Sequence, residues 1–261
     1  MNIESISNQL LYTTVPIWVE RENSMENSFG TGFIFNYKVK EGMFIPFIIT
    51  NYHVVKNAKK IITEFVISID NKPSNKDRVK VELVNIDSFN ELIDISVIPI
   101  GPVLHKLSNT KINIFFKSID ENIILKQEEI EQLSAIEDII FIGYPNGFYD
   151  TKNMLPIVRK GITATPIWNN FNDQDKFIID AGVYPGSSGS PVFLFNQGFY
   201  TDGNSNTFFG GTRLKFLGIL SESVVKLDNN ALSYFLGLGS VINVKSIIEF
   251  LQSIVKQINI K

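Results

Sequence analysis

The sequence predicts an all-β protein, either a barrel or a sandwich, and three observations support this prediction. Most of the chain consists of short runs of β-branched and aromatic residues separated by turn-forming residues, a rhythm typical of antiparallel strands. Helical periodicity is scarce outside the carboxyl end. The chain of 261 residues, 44% of them hydrophobic, is long enough to bury about 70–75% of the surface that its unfolded state exposes.

Each predicted strand is a hydrophobic run that ends at glycine, proline, asparagine or charged residues. In the amino-terminal half we predict strands at Thr14–Val19, Ser28–Phe35, Met43–Thr50, Lys60–Ile69, Arg78–Ile86 and Ile95–Ile100. In the carboxyl-terminal half we predict strands at Asp138–Gly143, Ile157–Ala164, Lys176–Ala181, Pro191–Phe195, Arg213–Ser221 and Ser233–Leu238.

A polar, acidic segment, Ser118–Ala135, separates these two groups of strands and favours one short helix. We expect it to connect two barrels. The predicted domains are therefore residues 1–117, residues 118–240 for the connector and second barrel, and residues 241–261 for a terminal helix. A further segment, Asn196–Thr212, is rich in glycine and asparagine and predicts a long hairpin loop.

The carboxyl end is the exception to the β pattern, because its apolar residues recur at helical spacing. They form a single face of a helix, made of Val244, Ile247, Ile248, Leu251, Ile254, Val255 and Ile258. The opposite face is not predominantly basic, which argues against a membrane-surface helix. We predict a helix that packs on the second barrel.

The composition excludes several classes of function. With 24 basic and 27 acidic residues the net charge is −3, which offers no basic surface for nucleic acid or an anionic membrane. The chain has no cysteine and only two histidines, which excludes disulfides, a thiol nucleophile and most zinc sites. We expect no metal and no cofactor.

The amino terminus has neither a basic region nor an apolar stretch of signal length, and no segment approaches the ~20 apolar residues of a bilayer span. We therefore expect a cytoplasmic protein. The sequence leaves the oligomeric state open.

Three short stretches place a reactive residue beside small or turn-forming neighbours: His53 in Ile49–Val55, Asp94 in Leu92–Val97, and Ser188 in Pro185–Pro191. A serine hydroxyl is a poor nucleophile until an imidazole takes its proton, and a carboxylate can orient that imidazole. Each stretch alone is a weak signal. Their combination in the order His, Asp, Ser predicts nucleophilic catalysis.

The glycines around Ser188 strengthen this interpretation. Gly186 and the glycine after the serine keep side chains away from the nucleophile, so the N–H groups of Gly186 and Ser188 can point into one cavity as an oxyanion hole. The pattern Gly-x-Ser-Gly selects Ser188 over its neighbours Ser187 and Ser190, whose hydroxyls we expect to bond the local backbone.

The sequence resembles the chymotrypsin/trypsin-like serine peptidases, in particular the disulfide-free bacterial branch with the HtrA-type protease domains. The motifs that carry the resemblance are Gly30–Phe33, Thr50–His53, Asp94–Val97, Phe141–Pro145, Arg159–Ala164, Asp180-Ala181 with Pro185–Pro191, and Gly218–Ser221. The resemblance implies two six-stranded antiparallel β-barrels and an endopeptidase that acts on polypeptides through His53, Asp94 and Ser188. No PDZ-sized segment follows the last predicted strand.

The resemblance also implies a substrate cleft. Its walls would be Asp180–Tyr184, with the uncharged Gly182 at the pocket floor, and Ser221, Glu222 and Ser223. Ser221 would contact the carboxylate of the triad. The chain departs from the digestive enzymes at Ser187, where they have the aspartate that locks the activated form, so we expect activity without proteolytic processing.

Two other functions were weighed against this prediction. A catalytically silent binding module could keep the same fold to hold a peptide or a partner protein, although all three triad positions carry competent residues. An esterase of the α/β-hydrolase type would need alternating strands and helices and the order Ser, Asp, His, which this chain lacks.

Overall fold

The computed structural model describes residues 3–21, 28–83, 88–204, 206–227 and 233–259. In these residues the chain forms two β-sheets, one after the other along the sequence, which are antiparallel except for the pairing of Ser28–Lys40 with Ile119–Asp120. The helices lie before the first strand, in connections and at the carboxyl end. The predicted all-β fold class with a carboxyl-terminal helix is confirmed. The division into domains at residues 117/118 and 240/241 stays a prediction.

The first sheet contains nine strands in the order β5-β4-β1-β2-β3-β7-β6, with β8 paired to β4 and β9 paired to β2. The strands are β1 (Thr14–Arg21), β2 (Ser28–Lys40), β3 (Met43–Thr50), β4 (Ala58–Ile69), β5 (Lys72–Leu83), β6 (Phe89–Asn90), β7 (Ile95–Pro99), β8 (Ile114–Phe115) and β9 (Ile119–Asp120). The sequence predicted six strands here. The three that it did not predict, β6, β8 and β9, have two residues each, which is too short to show an alternating pattern of apolar and polar residues. Residues 84–86 of the predicted strand Arg78–Ile86 lie outside the described residues.

The second sheet closes into a six-stranded barrel in the order β10-β11-β12-β15-β14-β13. Its strands are β10 (Asp138–Gly143), β11 (Ile157–Thr163), β12 (Lys176–Asp180), β13 (Pro191–Thr201), β14 (Thr207–Leu227) and β15 (Ser233–Asn243). All six predicted strands are present, and closure leaves this sheet without a free edge.

The prediction of a long loop over Asn196–Thr212 is wrong. The antiparallel pairing of β13 and β14 continues through this segment as far as Thr201 opposite Thr207. Gly198 has a φ of +91° beside a register shift, and the Asp202 carboxylate accepts N–H groups of the turn that follows. The glycine and asparagine residues thus serve a bulge and a tight turn within a hairpin.

In the described residues five α-helices accompany the sheets: α1 (Ile6–Leu10), α2 (Tyr52–Val55), α3 (Gly101–Asn109), α4 (Gln127–Ile130) and α5 (Val244–Asn259). Helix α4 is the short helix predicted in the connector, whereas α3 was not predicted. The apolar face of α5 is buried as expected at Val244, Ile247, Leu251, Ile254 and Val255, while the side chain of Ile258 lies outside the described residues.

One apolar cluster joins the two sheets. It contains Phe33 and Phe47 from the first sheet, Phe193 and Phe216 from the second, and Leu251 of α5, all at most 1% exposed. The rings of Phe33 and Phe216 meet edge to face across the interface, with centroids 5.3 Å apart. This packing holds the strand ends of one sheet against the loops of the other. The reactive residues lie in these strand ends and loops.

Candidate active site

His53 and Asp94 meet at the end of β3. The single-turn helix α2 carries His53, and Asp94 lies directly before β7, which is the neighbour of β3. The His53 Nδ1 atom lies 2.8 Å from Asp94 Oδ2, and the His53 backbone N–H donates to Asp94 Oδ1 at 2.9 Å. If Nδ1 carries the proton of a neutral imidazole, Nε2 is left as a proton acceptor.

Asp94 has an uncommon backbone conformation. Its φ of +55° lies in the left-handed region, which side chains other than glycine, asparagine and aspartate rarely adopt. The surroundings hold it there, because its carbonyl accepts the Tyr52 N–H at 3.2 Å and the Asn51 side-chain amide at 3.0 Å. The carboxylate is therefore aimed at His53 by the backbone as well as by its own hydrogen bonds.

Ser221, in the carboxyl-terminal part of β14, also contacts this carboxylate. Its hydroxyl donates to Asp94 Oδ2 at 2.9 Å. Burial alone would raise the pKa of Asp94, but the hydrogen bonds and charge of His53, together with the bond from Ser221, outweigh it and hold the pKa below its ordinary value. The group is thus kept as a carboxylate.

Ser188 lies on a tight turn between β12 and β13. Gly186 and Gly189 flank it with φ values of +84° and +89°, the conformation that favours glycine. A side chain at Gly189 would also lie 1.8 Å from the Thr31 carbonyl oxygen, so the first sheet presses directly against this turn. In the described part of the chain, the N–H groups of Gly186 and Ser188 donate to no protein atom. They form a pair of free donors beside the Ser188 hydroxyl.

The Ser188 hydroxyl itself donates to the Ser221 backbone carbonyl at 2.7 Å. Within the described ranges it makes no hydrogen bond to His53. Ser221 therefore binds two of the predicted residues, the carboxylate of Asp94 through its hydroxyl and the hydroxyl of Ser188 through its carbonyl.

Thr31 of β2 connects the first sheet to the turn that carries Ser188. Its side chain donates to the Gly186 carbonyl at 3.0 Å and accepts the Tyr144 N–H at 3.1 Å, and its backbone N–H donates to the Ser188 carbonyl at 2.9 Å. Thr31 is fully buried. The two bonds to the Gly186 and Ser188 carbonyls hold the turn of Ser188 against the first sheet, and the bond from Tyr144 joins Thr31 to the end of β10.

A cleft of about 510 Å³ opens over these groups. The predicted residues His53, Asp94, Ser188, Ser221, Glu222 and Ser223 all line it. The cleft also contains Tyr52, Lys56, Glu91, Leu92, Lys176, Val183, Tyr184 and Pro185. The Glu222 carboxylate forms an ion pair in the cleft, since Lys176 Nζ lies 3.8 Å from its Oε1.

One expectation at this site is wrong, and the role of Gly182 as the pocket floor stays a prediction. Gly182, predicted as the pocket floor, is absent from the cleft lining, and its open side is covered by the Arg159 guanidinium. The hydroxyls of Ser187 and Ser190 do not bond the local backbone, since both are buried and have no hydrogen-bond partner among the described residues. Instead, the Ser190 hydroxyl packs against Gly143, where a Cβ would lie 2.0 Å from it.

Sequence analysis missed the contributions of Thr31, Lys176 and Arg159. The glycine-rich motif around Thr31 was a signal for its position, although not for its bonds. The other two act across strands that are distant in sequence, so their contacts depend on sheet register.

In the part of the chain that the structure describes, no cluster of three or more acidic or histidine side chains could hold a metal ion, and no helix there is long and apolar enough to cross a bilayer.

Comparisons with known proteins found a matching family model and solved structures of similar fold. A family model described as a trypsin-like peptidase domain matches residues 30–199. The fold is similar to the serine endoprotease from Yersinia pestis, with a TM-score of 0.53 and 16% identity over 98% of this chain and 68% of that one. It is also similar to the HtrA-type protease AlgW with tripeptide, with a TM-score of 0.54 and 18% identity over 96% of this chain and 62% of that one. No curated protein sequence matches the chain.

Proposed function

Because the chain belongs to the family of trypsin-like peptidase domains, we propose that it is a serine endopeptidase whose catalytic triad is Ser188, His53 and Asp94. One observation carries this proposal. The hydrogen-bonded pair of His53 and Asp94, 2.8 Å apart, lies in the same cleft as a serine flanked by two free backbone N–H groups.

In the proposed reaction the Ser188 Oγ attacks the carbonyl carbon of a peptide bond while its proton passes to His53 Nε2. Asp94 stabilises the imidazolium that forms. The negative oxygen of the tetrahedral intermediate accepts hydrogen bonds from the Gly186 and Ser188 N–H groups. The C–N bond then breaks as His53 returns the proton to the leaving amine, and water hydrolyses the acyl-enzyme by the same steps.

The first of these steps requires Ser188 to change its hydrogen bond. The hydroxyl donates to the Ser221 carbonyl in the structure. A rotation about the Cα–Cβ bond of Ser188 would turn it toward His53, and such rotations are fast compared with turnover. The freed Ser221 carbonyl could then accept an N–H group from a substrate that adds as a strand to β14.

An active-site fluorophosphonate probe tests the proposal on the full chain. We expect the wild-type protein to be labelled without any proteolytic processing and labelling to vanish in Ser188→Ala. The neighbouring Ser187→Ala is a matched control, since it removes a buried hydroxyl that has no hydrogen-bond partner, and it should be labelled like the wild type. A silent binding module would bind peptides yet remain unlabelled, and that result would refute the proposal.

A further inference from the structure

Arg159 of β11 places a positive charge beside the cleft. Its guanidinium carbon lies 5.0 Å from the centre of the Tyr184 ring, a cation–π contact, and Tyr184 lines the cleft together with Ser188. Glycine at position 182 makes this arrangement possible, because a Cβ there would lie 2.5 Å from the Arg159 Nη2 atom. The guanidinium therefore occupies space that a side chain at position 182 would otherwise fill.

No carboxylate of the described residues pairs with this guanidinium. Among the residues that the structure describes, Arg159 makes no ion pair and no hydrogen bond, although its side chain is partly buried. The carboxylates that line the cleft already face a basic group, in the pairs Glu91 with Lys56, Asp94 with His53, and Glu222 with Lys176. The Arg159 guanidinium, which has five N–H donors in a rigid planar arrangement, therefore remains available to bind an anion.

We propose that Arg159 is a specificity-determining residue that binds an acidic side chain, glutamate or aspartate, of the substrate residue whose carbonyl Ser188 attacks. The inference rests on the proposed function. The segment Val183–Pro185 leads directly into Gly186 and Ser188. A residue whose carbonyl oxygen lies at those two N–H groups would therefore have its side chain beside Tyr184. A carboxylate there would form the two parallel hydrogen bonds that a guanidinium favours.

A binding measurement on the catalytically disabled Ser188→Ala protein tests this directly. The probes are Ala-Ala-Ala-Glu-amide and Ala-Ala-Ala-Gln-amide, which differ only in the charge of the last side chain, and the method is isothermal titration calorimetry. We expect the glutamate peptide to bind at least about tenfold more tightly, the ratio typical of a charge-assisted pair. The additional substitution Arg159→Gln should abolish this ratio, whereas Arg159→Lys should retain part of it.

Lys160 provides the matched control. It is the next residue on the same strand, but its exposed side chain pairs with Asp138 at 2.9 Å on the surface. Lys160→Gln removes the same charge and should keep the full preference for glutamate. Equal affinities for the two peptides, no measurable binding of either, or the same ratio in Arg159→Gln and Lys160→Gln would overturn the inference.

Cleavage separates this inference from the proposed function. Digestion of a peptide library by the wild-type protein should give products that end in glutamate or aspartate. If the protein neither cleaves nor reacts with the fluorophosphonate but still prefers the glutamate peptide through Arg159, the peptidase proposal fails while the carboxylate site stands. If the protein cleaves peptides without a preference for acidic residues, the peptidase proposal stands and the inference about Arg159 fails.

Discussion

Replacing Thr31 with valine should weaken both the stability of the protein and its reactivity. Valine has a similar shape but no hydroxyl, so the Tyr144 N–H and the Gly186 carbonyl each lose their partner. A buried polar group without a partner costs about 1–3 kcal/mol. Tyr144 is buried, while Gly186 is partly open to solvent and can recover a water molecule. We therefore expect the free energy of unfolding to fall by about 2–4 kcal/mol.

The same substitution should slow the reaction at Ser188. Thr31 binds the carbonyl groups of both Gly186 and Ser188, so it positions the peptide units whose N–H groups would hold the oxyanion. A displacement of about 1 Å in such a site lowers the rate by about a hundredfold. We expect kcat/KM of Thr31→Val to fall by about 10–100-fold, mainly through kcat.

Thr31→Ser is the matched control, because it removes only a methyl group and keeps the hydroxyl. Urea unfolding gives the stability difference, and the rate of fluorophosphonate labelling gives the reactivity under conditions where both variants are folded. If Thr31→Val and Thr31→Ser unfold at the same urea concentration and react at the same rate, the bonds of Thr31 do not position the turn, and the reasoning is refuted.

Three further predictions concern the carboxylates and their partners. Ser221→Ala should lower kcat about tenfold with little change in KM, since the hydroxyl supports Asp94 without touching the substrate; no change in either kinetic constant would show that this bond is not used. Because the pKa of Asp94 is lowered by folding, its contribution to stability should be present above about pH 4, the value of an unfolded aspartate, and be lost as the pH falls below it. The stability advantage of the wild type over Asp94→Asn should therefore shrink in acid, and a constant difference in urea unfolding from pH 7 to pH 3 would contradict this. Glu137→Gln should lower the free energy of unfolding by about 3–5 kcal/mol, because it leaves the Arg213 guanidinium, 11% exposed, without its buried counter-charge; a loss below 1 kcal/mol (about the value of a surface pair) would show that the pair is solvated.

The sequence predicted the strands of the second sheet well because each is an apolar run between turn residues, and it predicted α5 from a single apolar face. It failed where the local signal and the tertiary contacts differ. The glycines and asparagines of Asn196–Thr212 suggest a loop, yet the cross-strand ladder of β13 and β14 continues through them. Strands of two residues, such as β6 and β8, form because they pair with a neighbouring strand, and they are too short to have a sequence pattern of their own.

The candidate site shows the same division. Motifs with small residues at fixed spacing identified His53, Asp94 and Ser188, which the structure brings to one cleft. Of the two residues that connect them, Ser221 was expected from the family resemblance, whereas Thr31 was not identifiable, because its hydrogen bond to Gly186 depends on how two sheets pack. The sequence shows that residue 182 has no side chain. It does not show that the Arg159 guanidinium, from a neighbouring strand, covers that position.

The arrangement of these contacts explains why the site spans two sheets. His53 and Asp94 lie in connections between strands of the first sheet, whereas Ser188 lies on a turn of the second sheet and Ser221 on its strand β14. Two bridges cross between them: Thr31 reaches from the first sheet to the turn of Ser188, and Ser221 reaches from the second sheet to Asp94. Because each bridge has its own hydrogen bonds, the distance between imidazole and nucleophile is set at two points, and a shift of one sheet against the other would break at least one of them. The apolar cluster between the sheets therefore contributes to the geometry of the reaction as well as to stability.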